Sequence, residues 1–545
     1  MSVVGGGGRH QLTGESQVRD VVGRHDRSSC PIVSSQLRGG AALVFALLAI
    51  AAFGRPAGAE TLEQALSDAY LVNPVLNAER ARLRATDEQV ALAKSGLRPL
   101  ITGEADWSYV NQNSDRVTPT ARPTTSSQST PPPLPNPILE AIRQSVLQTV
   151  RQDLAAQNAQ NAQNAGQFST TDGVTHPHGY SIQLTQPLFE GFRNLNAIRG
   201  AKSTVQAARE SLRSVEQTVL LDAVTAYVNV VRDTAIVRLR ENDVTLLSEQ
   251  LKATKDRFDV GEVTRTDVAQ AEARRSEALS TLAAAQANLK TSRAAYEQII
   301  GHPPGNLETP PSIRHLLPGT LDESMTLGDG ENPLILAAVY QEEASLYAVE
   351  QIMGELLPQV TLEAQYQNRF DQSKFITQLE TTTVMGRVNV PFYQGGGVSA
   401  RVRQAKETNN QLKKEVEDSR LRVHADVISN WGILQSSGPA IAAAQAAVNA
   451  NKIALTGVHE EEKVGQRTTL DVLNAQRELL NSQIGLVTAL RDRIVAEYSL
   501  YSAIGRMDAQ TLGLSVPYYD PIEHYDIVKN KWFGLRPPAP PAPDE

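Results

Sequence analysis

The sequence predicts a mostly helical membrane protein that also carries membrane β-strands, built as two similar halves that each run helix, strand, strand, long helix, long helix. Three observations predict it. An export signal opens the chain while no later segment is apolar enough for a membrane-crossing helix, residues recur at fixed spacings, and two helical stretches are too long for a compact domain.

Ala41 to Phe53 reads AALVFALLAIAAF, follows Arg24, Arg27 and Arg38, and precedes Ala57-Gly58-Ala59, the small-x-small pattern of a cleaved secretory signal. The run falls short of the ~20 apolar residues a helix needs to cross a bilayer. Residues 1–59 are therefore expected to be a signal peptide with a long leader. The one cysteine, Cys30, lies before the run, so the mature chain is expected to hold no disulfide, thiol nucleophile or acylated cysteine anchor. Six arginines against Glu15, Asp20 and Asp26 make the leader basic, which leaves the rest more acidic than the formal net charge of −8. Such a chain lacks the clustered Lys and Arg that neutralise phosphates, which argues against nucleic-acid partners. Aromatics at 5% are thin for several globular cores, and the Ala, Gln, Leu, Val, Arg and Glu of the middle suit long helices packed through small side chains.

Asn73-Pro74 recurs as Asn332-Pro333, Pro99 as Pro358 and Glu104-Ala105 as Glu363-Ala364, all 259 residues apart. Downstream, Pro187 recurs as Pro391, Gly191 as Gly395, Gly261 as Gly465, Asp267-Val268 as Asp471-Val472 and Gly301 as Gly505, all 204 apart. The shorter spacing reflects extra chain in the first copy. The organisation expected is a first repeat over 60–301 with an insertion at about 112–177, a linker over 302–324, a second repeat over 325–505 and a C-terminal segment with a Pro-rich tail over 506–545.

Thr61 to Ser95 and Met325 to Glu355 are helical in pattern, and each meets a proline, Pro99 or Pro358, that turns the chain to extended structure. After Pro99, Ile101, Gly103, Ala105, Trp107 and Tyr109 alternate with Thr102, Glu104, Asp106 and Ser108. After Pro358, Val360, Leu362, Ala364 and Tyr366 alternate with Gln359, Thr361, Glu363 and Gln365. Returning strands are expected over Tyr180 to Pro187 and, less cleanly, Thr383 to Pro391. A period of two with one apolar face fits both a membrane β-barrel strand and a half-buried sheet. Between the first two strands, Thr118 to Gln167 starts Pro- and Ser-rich and ends in an Asn-Ala-Gln repeat, so a largely disordered surface loop is expected there.

Arg193 to Asp259 and Val398 to Lys463 run without a strong break and would each reach roughly 100 Å as helix. Leu212, Val215, Val219, Ala223, Ala226 and Val230 form one apolar stripe, and Leu220, Val224, Tyr227 and Val231 a second. Two stripes imply neighbours on two sides. Pro439, where the first half has Ala235, is expected to bend or break its helix. Sharp turns at Val260-Gly261 and Val464-Gly465 should send Arg265 to Ile300 and Thr469 to Ile504 back antiparallel.

The strand-to-helix sequences Gln186-Pro187-Leu188-Phe189-Glu190-Gly191 and Val390-Pro391-Phe392-Tyr393-Gln394-Gly395-Gly396, with the hairpin turns from Val260 to Val268 and from Val464 to Leu473, resemble those of the TolC family of outer-membrane factors. The resemblance covers Thr61 to about Gly505. It implies a passive exit duct for efflux or type I protein secretion, located in the outer membrane and extending into the periplasm. It also implies a homotrimer sharing one barrel continued by a helical tunnel, opened by an inner-membrane transporter with its periplasmic adaptor. Four strands are too few to close a barrel and an open edge cannot face outer-membrane lipid, so oligomerisation follows independently.

The resemblance also implies a periplasmic gate at the second-half hairpin. There, Arg467 would take the network arginine's place, Thr266 and Asp267 its partners' places, and Asp471 the first position of an aspartate ring. The second ring position is Asn474 and a network tyrosine is replaced by Glu462, so the constriction should hold cations less strongly and be wired differently. Turn and helix-cap roles fit the same residues. Gly395-Gly396-Gly397 lacks the Gly-Lys-Ser/Thr of a phosphate loop and reads as a tight turn, and His459-Glu460 lacks the second histidine of a zinc-protease helix. No enzyme activity, metal or cofactor is expected. The alternative from another class is a periplasmic coiled-coil adaptor without a membrane barrel.

Overall fold

The computed structural model describes residues 59–112, 137–165, 173–373 and 376–538. The expected signal segment up to Gly58, the Pro- and Ser-rich start of the insertion and the end of the C-terminal tail lie outside these residues. From Ala59 onward the described chain forms one unit.

Thr61 opens helix α1 (Leu62–Val72) with a reciprocal capping box to Gln64, and α2 (Pro74–Ser95) follows at once. The single helix expected over Thr61 to Ser95 is thus broken at Asn73. Its Oδ1 accepts from the amides of Val75 and Leu76 at 2.9 and 3.3 Å, while Nδ2 donates to the Ile299 carbonyl at 2.9 Å. Pro74 fits the first helical position, where its missing N–H costs nothing. Asn332 repeats the arrangement between α6 (Leu321–Glu331) and α7 (Pro333–Met353), accepting from Leu334 at 2.9 Å and donating to the Ala503 carbonyl at 2.8 Å.

The strands are β1 (Leu100–Trp107), β2 (Val110–Gln112), β3 (Gly173–Thr175), β4 (His178–Glu190), β5 (Gln359–Ser373) and β6 (Ile376–Asn389). One antiparallel sheet runs in the order β1-β4-β5-β6, and β2 pairs with β3 beside it. In register, Ile101 stands by Leu184, Leu184 by Ala364 and Ala364 by Val384, so the apolar sets of all four strands share one face. The opposite face carries ion pairs Arg369–Asp106 and Arg387–Glu363, each 2.9 Å. Arg369 reaches Asp106 across Gly179, where a Cβ would come within 2.6 Å of the Asn368 carbonyl oxygen. β1 and β6 have no further strand partner among the described residues, so the sheet does not close on itself.

Where a loop is expected in the insertion, α3 (Pro137–Ala165) is a helix. From Ile138 to Ala165 the sequence has neither Gly nor Pro, and Gln144 supports it by donating to Glu140 one turn back at 3.0 Å. Helical propensity prevails over the polar repeat.

The long helices are α4 (Arg193–Asp259) and α8 (Gly397–Lys463), each 67 residues, returning through α5 (Arg265–Ile300) and α9 (Thr469–Ala503). Both stripes of α4 are buried: Leu220, Ala223, Val224 and Tyr227 are inaccessible and pack in one core with Leu66, Tyr296, Ile300, Leu500 and Ile504. The Tyr227 hydroxyl lies 2.7 and 2.8 Å from the Glu60 and Glu308 carbonyls, pinning the start of the described chain to the segment that follows α5. By contrast, α8 buries only Val398, Asn409, Val423, Val427 and Glu462, leaving Leu421, Ile428, Ile433 and Ile453 about half or more exposed. Of the bend or break expected at Pro439, the break does not occur, and α8 stays helical through Gly438-Pro439. One missing donor, worth roughly 3 kcal/mol, is absorbed by long flanking helix packed along α9. A short α10 (Glu523–Val528) lies on α2.

Candidate functional site: the helix-hairpin tips

Each hairpin tip is dictated locally. α4 ends at Gly261, with φ +82°, whose amide donates to the Phe258 carbonyl at 2.9 Å, while Glu262 N–H reaches the Arg257 carbonyl at 2.9 Å. α8 ends the same way at Gly465, with φ +76° and bonds to the Glu462 and Glu461 carbonyls. Neither glycine has a neighbour where a Cβ would stand, so the left-handed backbone alone requires them.

The returning helices start on capping boxes. Asp267 accepts from Thr264 N–H and Oγ1 at 2.9 and 2.7 Å, and Asp471 accepts from Thr468 N–H and Oγ1 at 3.0 and 2.8 Å. These bonds hold the Asp471 carboxyl below the usual aspartate range, with a smaller contribution from Arg467. Arg467 donates from Nε to Glu461 at 2.9 Å. Within one chain, then, Arg467 is taken by Glu461 and Asp267 by Thr264, and the structure does not bring Arg467 to Asp267 or Thr266.

Two cross-hairpin ties join residues that sequence reasoning missed or left unpartnered. Arg257 donates from Nη1 to the buried Glu462 at 2.7 Å and from Nη2 to Glu262 at 2.9 Å. Arg274 donates to Asn474 Oδ1 at 3.1 Å and to Glu277 at 2.9 Å. A small apolar cluster of Leu247, Ala278 and Leu473 lies between the hairpins. The only advance signal for Arg257 is the unusual Glu462, a buried acid that needs a cation.

At the strand-to-helix entries, Gly191 and Gly395 both have φ +62°. A Cβ on Gly191 would lie 2.2 Å from the Gly354 carbonyl oxygen, so no other residue fits there. The β4–β5 register shifts between Pro187 and Phe189, and Pro391 stands two residues beyond Asn389, the last residue of β6. Among the described residues no helix is long and apolar enough to cross a membrane, and no acidic, histidine or cysteine cluster would hold a metal.

A sheet with one apolar face, continued by helical hairpins of this length, defines the subunit of a membrane channel whose duct is carried away from the bilayer by helices. The chain belongs to the outer membrane efflux protein family, whose model matches residues 65–302 and 329–506. It is 40% identical over 496 residues to the outer membrane efflux protein BepC of Brucella suis biovar 1 (strain 1330), covering 89% of this chain and 94% of that protein. To the outer membrane protein TolC of Escherichia coli (strain K12) it is 24% identical over 480 residues, covering 85% and 86%. In fold it is similar to the Campylobacter jejuni CmeC outer membrane channel, with a TM-score of 0.66 at 14% identity over 86% of this chain and 89% of that one. The protein resides in the outer membrane, and the coiled-coil adaptor alternative is set aside.

Proposed function

We propose that the two halves are structural repeats and that three copies of the chain pool their sheets into one barrel. Continued by α4, α5, α8 and α9 across the periplasm, the barrel forms a passive exit duct for efflux or type I secretion. The observation that carries this reading is the pairing of two unsatisfied surfaces, the open β1 and β6 edges and the exposed apolar side chains of α8. An unpaired edge cannot face hydrocarbon, and cyclic symmetry satisfies β1 of one copy with β6 of the next. An adaptor and an inner-membrane transporter are the partners that open the periplasmic end.

At that end, Arg467, Thr266, Asp267, Asp471 and Asn474 form the gate, with Arg467 exchanging Glu461 for Asp267 or Thr266 of a neighbouring copy and Asp471 forming the cation-binding ring. In planar bilayers, Arg467→Ser is expected to raise conductance and Asp471→Ala to weaken block by hexammine cations. Parent-like behaviour of both variants would refute the gate assignment and leave the duct assignment standing.

A further inference from the structure

Beyond α10 the C-terminal segment forms a basic, aromatic turn whose apolar side chains are largely exposed. It follows α2 toward the sheet: Lys94 Nζ donates to Asn530 Oδ1 at 2.7 Å, and Arg98 Nη1 donates to the Lys531 carbonyl at 2.8 Å. The Arg98 guanidinium sits 4.6 Å from the centre of the Trp532 ring. Lys531 Nζ donates to the Arg536 carbonyl at 2.9 Å, closing a turn in which Gly534 has φ +114°. Trp532, Phe533 and Leu535 project from it, 58%, 86% and 103% exposed.

The turn's position matters as much as its composition. Arg98 stands two residues before Leu100, where β1 begins, so Trp532 is fixed within roughly 7 Å of chain from the helix-side end of the sheet. Cations surround it: Lys94, Arg98, Lys529 and Lys531, with Lys202 on the adjoining α4. The Lys94 ammonium is held below the ordinary lysine value by partial desolvation and by repulsion from Lys202, Lys529 and Arg98. Positive charge is thus concentrated here beyond what Asp526, which pairs with Lys529 at 2.7 Å, can balance. Exposed Trp, Phe and Leu ringed by Lys and Arg match the chemistry of a membrane–water boundary, where rings sit at headgroup level and cations meet phosphates. A protein partner would not require the patch to sit at the level where the sheet starts.

We propose that the Trp532-Phe533-Gly534-Leu535 turn inserts into the periplasmic leaflet of the outer membrane, with the surrounding cations on phospholipid headgroup phosphates. It would fix the depth at which the sheet enters the bilayer. This rests on the reading of the sheet as membrane-spanning.

The chain has three tryptophans, Trp107, Trp431 and Trp532, which makes a test direct. The full chain is reconstituted into vesicles of phosphatidylethanolamine and phosphatidylglycerol, plain or brominated in the upper acyl chain, as W107F/W431F to isolate Trp532 and as W431F/W532F to isolate Trp107 on the apolar face of β1. The expected result is loss of Trp532 emission in brominated vesicles, with protection from aqueous iodide. Quenching of Trp107 but not Trp532 would overturn the proposal, whether iodide reaches Trp532 (a turn in water) or does not (a turn covered by protein). Absence of bromine quenching at both would overturn the membrane reading of the sheet along with it. Phe533→Ser with Leu535→Ser, at two largely exposed side chains, should reduce the Trp532 quenching, and unchanged quenching would count against insertion.

Discussion

Arg257, in the last turn of α4, donates across 2.7 Å to the buried carboxylate of Glu462, in the last turn of α8, and so ties the first-half hairpin to the second at their far ends. Local helix chemistry shapes each tip, but this pair and Arg274–Asn474 decide how the two tips stand together.

Removing the cation should therefore loosen the tip without unfolding the body. Arg257→Ala leaves Glu462 buried without its partner, a cost of about 1–3 kcal/mol confined to the hairpin ends. Amide hydrogen exchange is expected to quicken around residues 255–270 and 458–475 while the core around Tyr227 stays protected. Arg257→Glu combined with Glu462→Arg should restore much of the protection, and failure of the exchange rates to respond to the first variant would refute the tie.

Asn73 and Asn332 each cap one helix and fasten it to the end of a hairpin, at Ile299 and Ala503. Asn→Ala at either position should cost about 1–2 kcal/mol from the cap, read as a lower melting temperature in detergent. Because the two sites share no hydrogen-bond partner, the double variant should show additive loss.

Gly191→Ala should be far worse than Gly395→Ala, although both backbones have φ +62°. At Gly191 the added methyl meets the Gly354 carbonyl oxygen, whereas at Gly395 it meets nothing. Only the strain of the left-handed backbone, about 1–2 kcal/mol, applies at Gly395. Comparable yields of assembled channel from the two variants would contradict the packing described.

How much of this was legible depends on the range of the physics involved. The alternation after Pro99 and Pro358 and the apolar stripes of α4 are local patterns, and the strands and buried faces follow them. The Gly261 and Gly465 turns were equally visible. Asn73-Pro74 was conspicuous as a repeated pair, yet its role as a helix break emerges only when Nδ2 is seen to reach Ile299. At Pro439 a local rule gave a bend or break, of which the surrounding helix overrides the break, and in the insertion a polar repeat hid the absence of any helix breaker. The Arg257–Glu462 tie joins residues 205 apart in sequence, and no short-range pattern points to it.

Burial of Glu216 makes stability depend on pH. Desolvation raises its carboxyl above the usual glutamate range, only partly opposed by the Ala509 amide, which donates to it at 2.8 Å. The folded state thus keeps a proton that the unfolded state releases, so stability falls as pH rises from the ordinary carboxylate value through the raised one. Glu216→Gln retains an acceptor for Ala509 and should leave the melting temperature unchanged near about pH 4 while raising it near about pH 7. A variant destabilised equally at both would show that the charge is not opposed by burial.

The central claim is that one chain holds an incomplete barrel that only further copies can close. Native mass spectrometry of the detergent-extracted mature protein tests it most directly. A single species of three chains, each beginning near Glu60, is the result the account predicts, and a stable monomer that needs no detergent would contradict it.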